Sequence, residues 1–285
     1  MTDRRALLEQ LAVPRRVGSP GHARVRDHLK RELERRGFVV LEHRFRAAAR
    51  FPLWGAPPAD GVNLIAVRPT ARVLAWLSAH YDSKGQPISM AARLVLLGLA
   101  ALTLLVIPFG IWIPAAVAVA LFVALNRVTN GSPGAADNAS GVLTVLATLD
   151  ALPPTAAVGA LLIDAEELGL VGARALARDR GNLLAGTVVI NFDGIDDQGG
   201  VTALVHRSGD TVRGIARALG AGLWRRLPVV VDGMALAPAA RECMTIMKGN
   251  WETMRVVHTP RDVAARLHGA GVDEVARILG QVLRQ

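Results

Sequence analysis

Cysteine and tyrosine occur once each, and aromatic residues make up only 4% of the chain. A lone cysteine, Cys243, excludes an internal disulfide and any cysteine-based zinc site. A bound metal would have to be held by histidine and carboxylate, the ligand types of catalytic rather than structural zinc. The shortage of aromatics also bears on the charge. The formal net charge is +9 and the sequence pI about 11.1, but a nucleic-acid surface clusters its cations and interleaves them with aromatic rings. Here the arginines are spread along the chain, so nucleic acid is not an expected partner. The opening MTDRRALLEQLAVPRRVGSPG has no apolar core of the signal-peptide kind and carries acidic residues, so no cleaved secretory signal is expected. The length, 285 residues, suits one α/β domain better than two.

Charge is absent from residues 94–126, a stretch bounded by Arg93 and Arg127. At about 20 residues per spanning helix, this is long for one pass and short for two. IPFGIWIP, with Pro108, Gly110 and Pro114, breaks it near the middle. The pattern predicts a helical hairpin with arms at 91–107 and 111–126. Ala116, Ala120 and Ala124 form a small-residue stripe on the second arm, suited to close helix packing. Residues 91–126 are therefore expected as an insertion into a single domain made of 1–90 and 127–285.

The remaining chain alternates. Helical spacing marks 4–12 and 22–36, with Gly37 as a stop. FVVLEHRF, VNLIAVRP and VLAWLSAHYD read as strands. The glycine-rich GSPGAADNASG opens a helix over 140–151. Then come strand AVGALLIDAEE, helix LVGARALAR, strands GTVVINFDGI and VTALVHR, a helix at 210–221, strands LPVVVD and ECMTIMKG, and a closing helix at 271–284. This predicts a three-layer α/β/α sandwich around a mixed, mainly parallel sheet.

Several polar residues interrupt this apolar framework where strands end, the usual place for a site in an open α/β sheet. His80–Tyr81–Asp82 closes one strand. Alone it reads as an ordinary loop; its functional reading is a metal-binding imidazole oriented by Asp82. Asp137, in GAADNASGV, is either a helix cap or a ligand. The cap role suits Ser140 or Asn138 better, leaving Asp137 for metal. Glu166 and Glu167 end the strand in LLIDAEELG. Adjacent carboxylates repel, which a dication on one and a proton shared by the other would relieve; a solvated turn is the alternative. Asp193 follows TVVINF, while the neighbouring Asp196 and Asp197 read as exposed turn residues. His258, in VVHTPRD, is by itself a loop histidine. His22, His28, His43, His206 and His268 read as structural or surface residues.

In chain order these motifs run His-x-Asp, Asp-Asn-Ala-Ser-Gly, Asp-Ala-Glu-Glu-Leu-Gly, Asn-Phe-Asp and His-Thr-Pro-x-Asp. The series resembles the zinc aminopeptidase family that includes secreted bacterial leucine aminopeptidases, glutamate carboxypeptidases and glutaminyl cyclases. The likeness runs from VGSPGHARVRDHL to the C-terminus and omits the hydrophobic insertion. It implies a two-zinc exopeptidase acting on peptides, with Asp137 bridging the metals, Glu167 and His258 completing one site, and His80 and Asp193 the other. Glu166 would be the general base, with Asp82 supporting His80, and a cis peptide would follow Asp137. Mn or Co could replace Zn in such a ligand set. The family often has Tyr before its last histidine and a second Asp before the bridging one; here those positions are Val257 and Ala136. Other amide chemistry on the same scaffold, as in carboxypeptidases, amidohydrolases or glutaminyl cyclases, and an inactive membrane scaffold are the alternatives.

The resemblance also constrains the hairpin. His80 and Asp137 flank it, and one membrane crossing would separate two ligands of a shared site. The segment must leave and return on one face. Arg93 and Arg127, helped by Lys84, would then lie at one interface, cytoplasmic by the positive-inside tendency. The expectation is a membrane-associated, cytoplasm-facing catalytic domain in lipid contact through 91–126. A soluble hairpin serving as an active-site lid or an oligomer interface is the other reading.

Overall fold

In the computed structural model, which describes residues 4–69, 72–110 and 112–284, the apolar runs form one eight-stranded sheet. Its strands are β1 (Val39–Ala47), β2 (Ala59–Val67), β3 (Ala75–His80), β4 (Val158–Ile163), β5 (Val188–Ile195), β6 (Gly200–Arg207), β7 (Gly222–Trp224) and β8 (Glu242–Gly249), in the order β1-β2-β4-β3-β5-β8-β6-β7. The central β4, β3, β5 and β8 are parallel. β1 and β2 add antiparallel on one side, β6 on the other. Every residue of β3 and β4 is buried, as a parallel strand covered on both faces requires.

The helices are α1 (Arg4–Leu11), α2 (Pro20–Arg35), α3 (Met90–Thr103), α4 (Ile113–Leu125), α5 (Ser140–Ala151), α6 (Val171–Leu184), α7 (Asp210–Ala218), α8 (Asp232–Leu236), α9 (Trp251–Met254) and α10 (Ala270–Val282). Side chains alternate across a strand, and the two cores follow that alternation. Leu64, Ala66 and Leu77 join α1, α2, α5, α7 and α10 on one face. Ile65, Trp76 and Leu161 meet α6 and α8 on the other. The α/β/α sandwich is thereby formed.

α3 and α4 pack on each other, with a 3₁₀ turn at Leu104–Phe109 between them. Arg93, at the start of α3, donates to Gln86 and to Asn126 just beyond α4, so the chain departs and returns at one place. Met90–Phe109 is long and apolar enough to cross a membrane, with mean hydropathy 2.4 and 6% of it buried.

Local expectations fail at four places. Residues 227–231 of LPVVVD form no strand; Pro228 has no N–H to give a ladder, and the sheet edge there is taken by β7. Ala116, Ala120 and Ala124 are exposed, and α4 instead turns Ala115, Ala118 and Phe122 inward. Asp196 is buried and accepts from Thr253 Oγ1 at 2.8 Å, while Asp197, half-buried, accepts the main-chain N–H of Gly271 at 3.0 Å. Lys84 does not stand at the foot of the hairpin facing outward; its ammonium is turned into the protein.

Candidate metal centre

Four parallel strands end at the same edge of the sheet, and the polar residues of the motifs converge there. His80 is the last residue of β3. Glu166 and Glu167 lie in a short 3₁₀ turn just past β4. Asp193 sits in β5 where its register with β8 shifts. Asp137 occupies an irregular turn before α5, and His258 lies in the loop after α9 with φ of 66°, a left-handed conformation uncommon for a side-chain-bearing residue.

Two groups of ligand atoms result, each within 4.8 Å of one another: His80, Asp137 and Asp193, and Asp137, Glu167 and His258. Asp137 belongs to both. Its Oδ1 is 3.1 Å from His80 Nε2 and its Oδ2 is 3.0 Å from His258 Nε2. Glu167 Oε2 lies 3.5 Å from His258 Nε2, and Asp193 Oδ1 3.8 Å from His80 Nε2. Both nitrogens of buried His80 lack an aligned hydrogen bond. Buried polar atoms without partners are uncommon, and these fit divalent-cation ligation by imidazole and carboxylate.

The Asp137 turn is held from three directions. The Asp137–Asn138 peptide is cis, as the motif resemblance implies. Asn138 donates through Nδ2 to Phe192 O at 2.8 Å and accepts the N–H of Gly194 at 3.0 Å and of Gly141 at 3.1 Å. It is thus both a cap for α5 and a tie to the strand carrying Asp193. Ser140 accepts the N–H of Ile195. Asp262 accepts the main-chain N–H of Ala136 at 2.7 Å and of Asp137 at 3.2 Å.

Asp82 ties the glutamate turn to β3. It accepts the main-chain N–H groups of Glu166 and Glu167 on its two oxygens, and Oδ1 is 3.4 Å from His80 Nδ1. Burial, and then the charges of Glu167 and Asp193, push the Glu166 carboxyl well above its ordinary range despite His80. Burial alone would raise Glu167 too, but Lys84 and His258 hold it down to about 2. Glu166 belongs to neither ligand group and faces a cavity of about 350 Å³ that also exposes Asp137, Asp193 and His258.

Further buried charges escape the motif reading. Lys84 Nζ is 2.5 Å from Glu167 Oε2, and its main-chain N–H donates to Oε1. The Arg15 guanidinium donates to the carbonyls of Tyr81, Pro133 and Gly134, joining the end of β3 to the Asp137 turn. Asp232, at the start of α8, is buried with neither oxygen hydrogen-bonded. Burial, with Asp82, Asp193 and Glu167 around it, raises its carboxyl well above the usual range. No local pattern marks any of these; Lys84, adjoining the His-x-Asp motif, had the nearest signal. Tyr81 offers no donor to the site, because its hydroxyl is spent on Val62 O at 2.7 Å. His22, as a structural residue should, pairs with Asp164 at 2.8 Å and stacks on Tyr81.

Residues 63–283 match the sequence model of Peptidase family M28. No curated protein matches the chain by sequence. Among solved structures, glutaminyl cyclase from Fimbriiglobus ruber superposes with a TM-score of 0.66 at 17% identity, covering 99% of this chain and 94% of that one. An aminopeptidase from Aneurinibacillus sp. strain AM-1 gives 0.67 at 13% identity, covering 99% and 92%. A zinc aminopeptidase from Bacillus subtilis gives 0.65 at 13%, covering 98% and 93%. At these identities the likeness is one of fold.

Proposed function

The chain belongs to peptidase family M28, and from that premise we propose a two-zinc exopeptidase that releases N-terminal residues from peptides. The observation that carries this is the placement of Asp137, whose two oxygens each face a different imidazole. Asp137 would be shared, with His80 and Asp193 on one side and Glu167 and His258 on the other. Zinc in these positions supplies a polarised carbonyl and a water of lowered pKa. Mn or Co suits the same donors.

Glu166 is free to take a proton from the attacking water and deliver it to the departing amine. Its buried setting, which raises the carboxyl above its ordinary range, favours a group that accepts a proton and returns it. Asp82 holds Glu166 and Glu167 by their main chain and stands behind His80, so it acts by positioning. Val257 lines the cavity where a tyrosine donor would sit in many relatives, and Tyr81 is occupied elsewhere. Carbonyl polarisation would then be supplied by metals held by His80, Asp137, Asp193, Glu167 and His258, or by a donor other than tyrosine.

The hairpin anchors this domain to a membrane in our reading. Its apolar side chains face outward along α3 and α4, and a hairpin returning to its own base keeps His80 and Asp137 on one side. Arg93 and Arg127 at that base favour the cytoplasmic face. Flotation of the full chain with liposomes, against a version lacking 91–126, tests the anchor; equal recovery in the soluble fraction would exclude it. Metal analysis with a panel of aminoacyl amides, N-acylated amides and peptides beginning with glutamine tests the activity. Turnover of the glutamine peptides alone, with release of ammonia, would favour the cyclase chemistry of the Fimbriiglobus ruber neighbour.

A further inference from the structure

The first turns of α3 are a wall of the catalytic cavity. Met90 and Leu94 line it together with Trp224, Val230 and Val257. A second hollow of about 480 Å³ shares Met90, Leu94, Glu166 and Val230 with the first. It continues between Leu97 of α3, Phe122 of α4 and the Phe51–Leu53 segment. The two form one groove that starts at Glu166 and runs outward along the inner foot of the hairpin. Exposed apolar side chains stand along it, Phe51 at 85%, Val230 at 63% and Trp224 at 52%, while Arg50, Arg93 and Arg174 also line the second hollow.

A groove along the foot of a membrane-embedded hairpin lets a membrane-resident peptide enter without its apolar body crossing water. We propose that the natural substrate is a bilayer-partitioned peptide, whose N-terminal residue enters the metal cavity while its apolar body lies between α3, α4 and the Phe51–Leu53 segment. This rests on the exopeptidase and membrane-anchor readings above and adds the substrate class. The hairpin is then part of the binding site as well as an anchor. The apolar body stays at one depth from bilayer to groove, so little desolvation opposes transfer, and the scissile amide is the part that must leave the interface.

The test uses the full chain in phosphatidylcholine liposomes with two probes, leucyl ethylamide and leucyl dodecylamide. The dodecylamide should be preferred in kcat/KM by at least tenfold. Leu97→Trp, which fills the groove with another apolar side chain, should cut that preference at least fivefold; Val119→Trp, on the outer side of α4, should leave it intact. In parallel, Glu166→Gln protein is photolysed with a diazirine-tailed leucyl dodecylamide, so that binding is read without turnover. Adducts within 90–97 and 122–126 support the groove. Adducts confined to other segments, or an unchanged preference in Leu97→Trp with both amides still cleaved, overturn it while the exopeptidase reading stands. Cleavage of neither amide removes the exopeptidase reading, and the adduct map then decides the groove alone. Failure of the chain to float with the liposomes removes the anchor and the proposal with it.

Discussion

Asp82 accepts the main-chain N–H of Glu166 at 3.2 Å, and through that contact the end of β3 sets where the glutamate turn stands. The companion oxygen holds Glu167 at 3.1 Å, so one buried carboxylate fixes the proposed general base and a proposed ligand together. Replacing Glu166 by Gln removes the proton acceptor and keeps the shape. Turnover should fall by about 10²–10⁴-fold, the usual contribution of a positioned acid–base group, with metal content unchanged. Asp82→Asn should act differently: an amide can accept from only one of the two N–H groups comfortably. Metal affinity should then weaken by about 10–100-fold, as for other supporting partners of a ligand histidine. Equal metal loss in both variants would contradict the separation of roles.

Among the described residues Asp137 alone belongs to both candidate ligand groups, and that makes stoichiometry a direct check. His80→Ala should lower bound metal from about two per chain to about one, and His258→Ala should do the same from the other side. Asp137→Ala should empty both positions, because the shared carboxylate is lost and two buried imidazoles remain with too few anionic partners. Metal counting by mass spectrometry of dialysed protein gives the answer. One metal per chain in the unaltered protein would end the two-metal account at once.

Three of the candidate site residues were legible because each is a polar residue just past an apolar run. His80 after LSA, Glu166 after LLIDA and Asp193 after VVINF would be out of place in a buried strand unless the strand ended in a site. The parallel sheet was legible for the same reason, since β3 and β4 are apolar throughout. Lys84, Arg15 and Asp232 were not, because their roles depend on contacts that local spacing does not encode. Asp262 closes the His-Thr-Pro-x-Asp motif, but what its carboxylate holds, the N–H groups of Ala136 and Asp137, lies far away along the chain. LPVVVD misled because an apolar run says that a surface is covered, without saying whether by a strand partner or by a substrate; Leu227–Val231 lines the cavity.

Gly172 shows how tightly the glutamate turn is backed. A Cβ there would stand 1.9 Å from the carbonyl oxygen of Asp164 and 2.7 Å from Asn63 Oδ1. Neither neighbour is free to yield: Asn63 accepts the N–H of Asp164, and Asp164 holds Val62 and His22. Gly172→Ala should cost about 2–3 kcal/mol in urea unfolding, toward the upper end for overpacking, and should lower activity through displacement of Glu166. A cost below about 0.5 kcal/mol would mean that the start of α6 is softer than its packing indicates.

His206 supplies a pH response away from the metal centre. Burial lowers its imidazole to about 4, and Nε2 lies 2.9 Å from Thr245 Oγ1. An unfolded histidine titrates near 6.5, so between about pH 4 and 6.5 the unfolded chain binds more protons than the folded one. This contribution is whole above pH 6.5 and is lost as pH falls toward 4. With allowance for partial solvent screening it amounts to about 1–2 kcal/mol. His206→Gln should flatten the acid side of the stability curve in that window. An identical curve for both proteins would show that the imidazole charges as easily folded as unfolded.

Lys84 would act on the proposed metal centre in two opposed ways. Its ammonium, 2.5 Å from Glu167 Oε2, repels a dication nearby, yet it also holds the Glu167 carboxyl down to about 2 and so keeps that ligand ionised in acid. A carboxyl with a lowered pKa stays a ligand until the pH approaches the lowered value; without Lys84 the carboxyl titrates higher. Lys84→Met should therefore bind zinc at least as tightly at pH 7.5 and more weakly at pH 5, with a steeper fall between. Competition with a chromophoric chelator at the two pH values measures this. Parallel losses at both would mean that the ammonium serves only to pack the turn, and that Glu167 owes its ionisation to His258 and the metal.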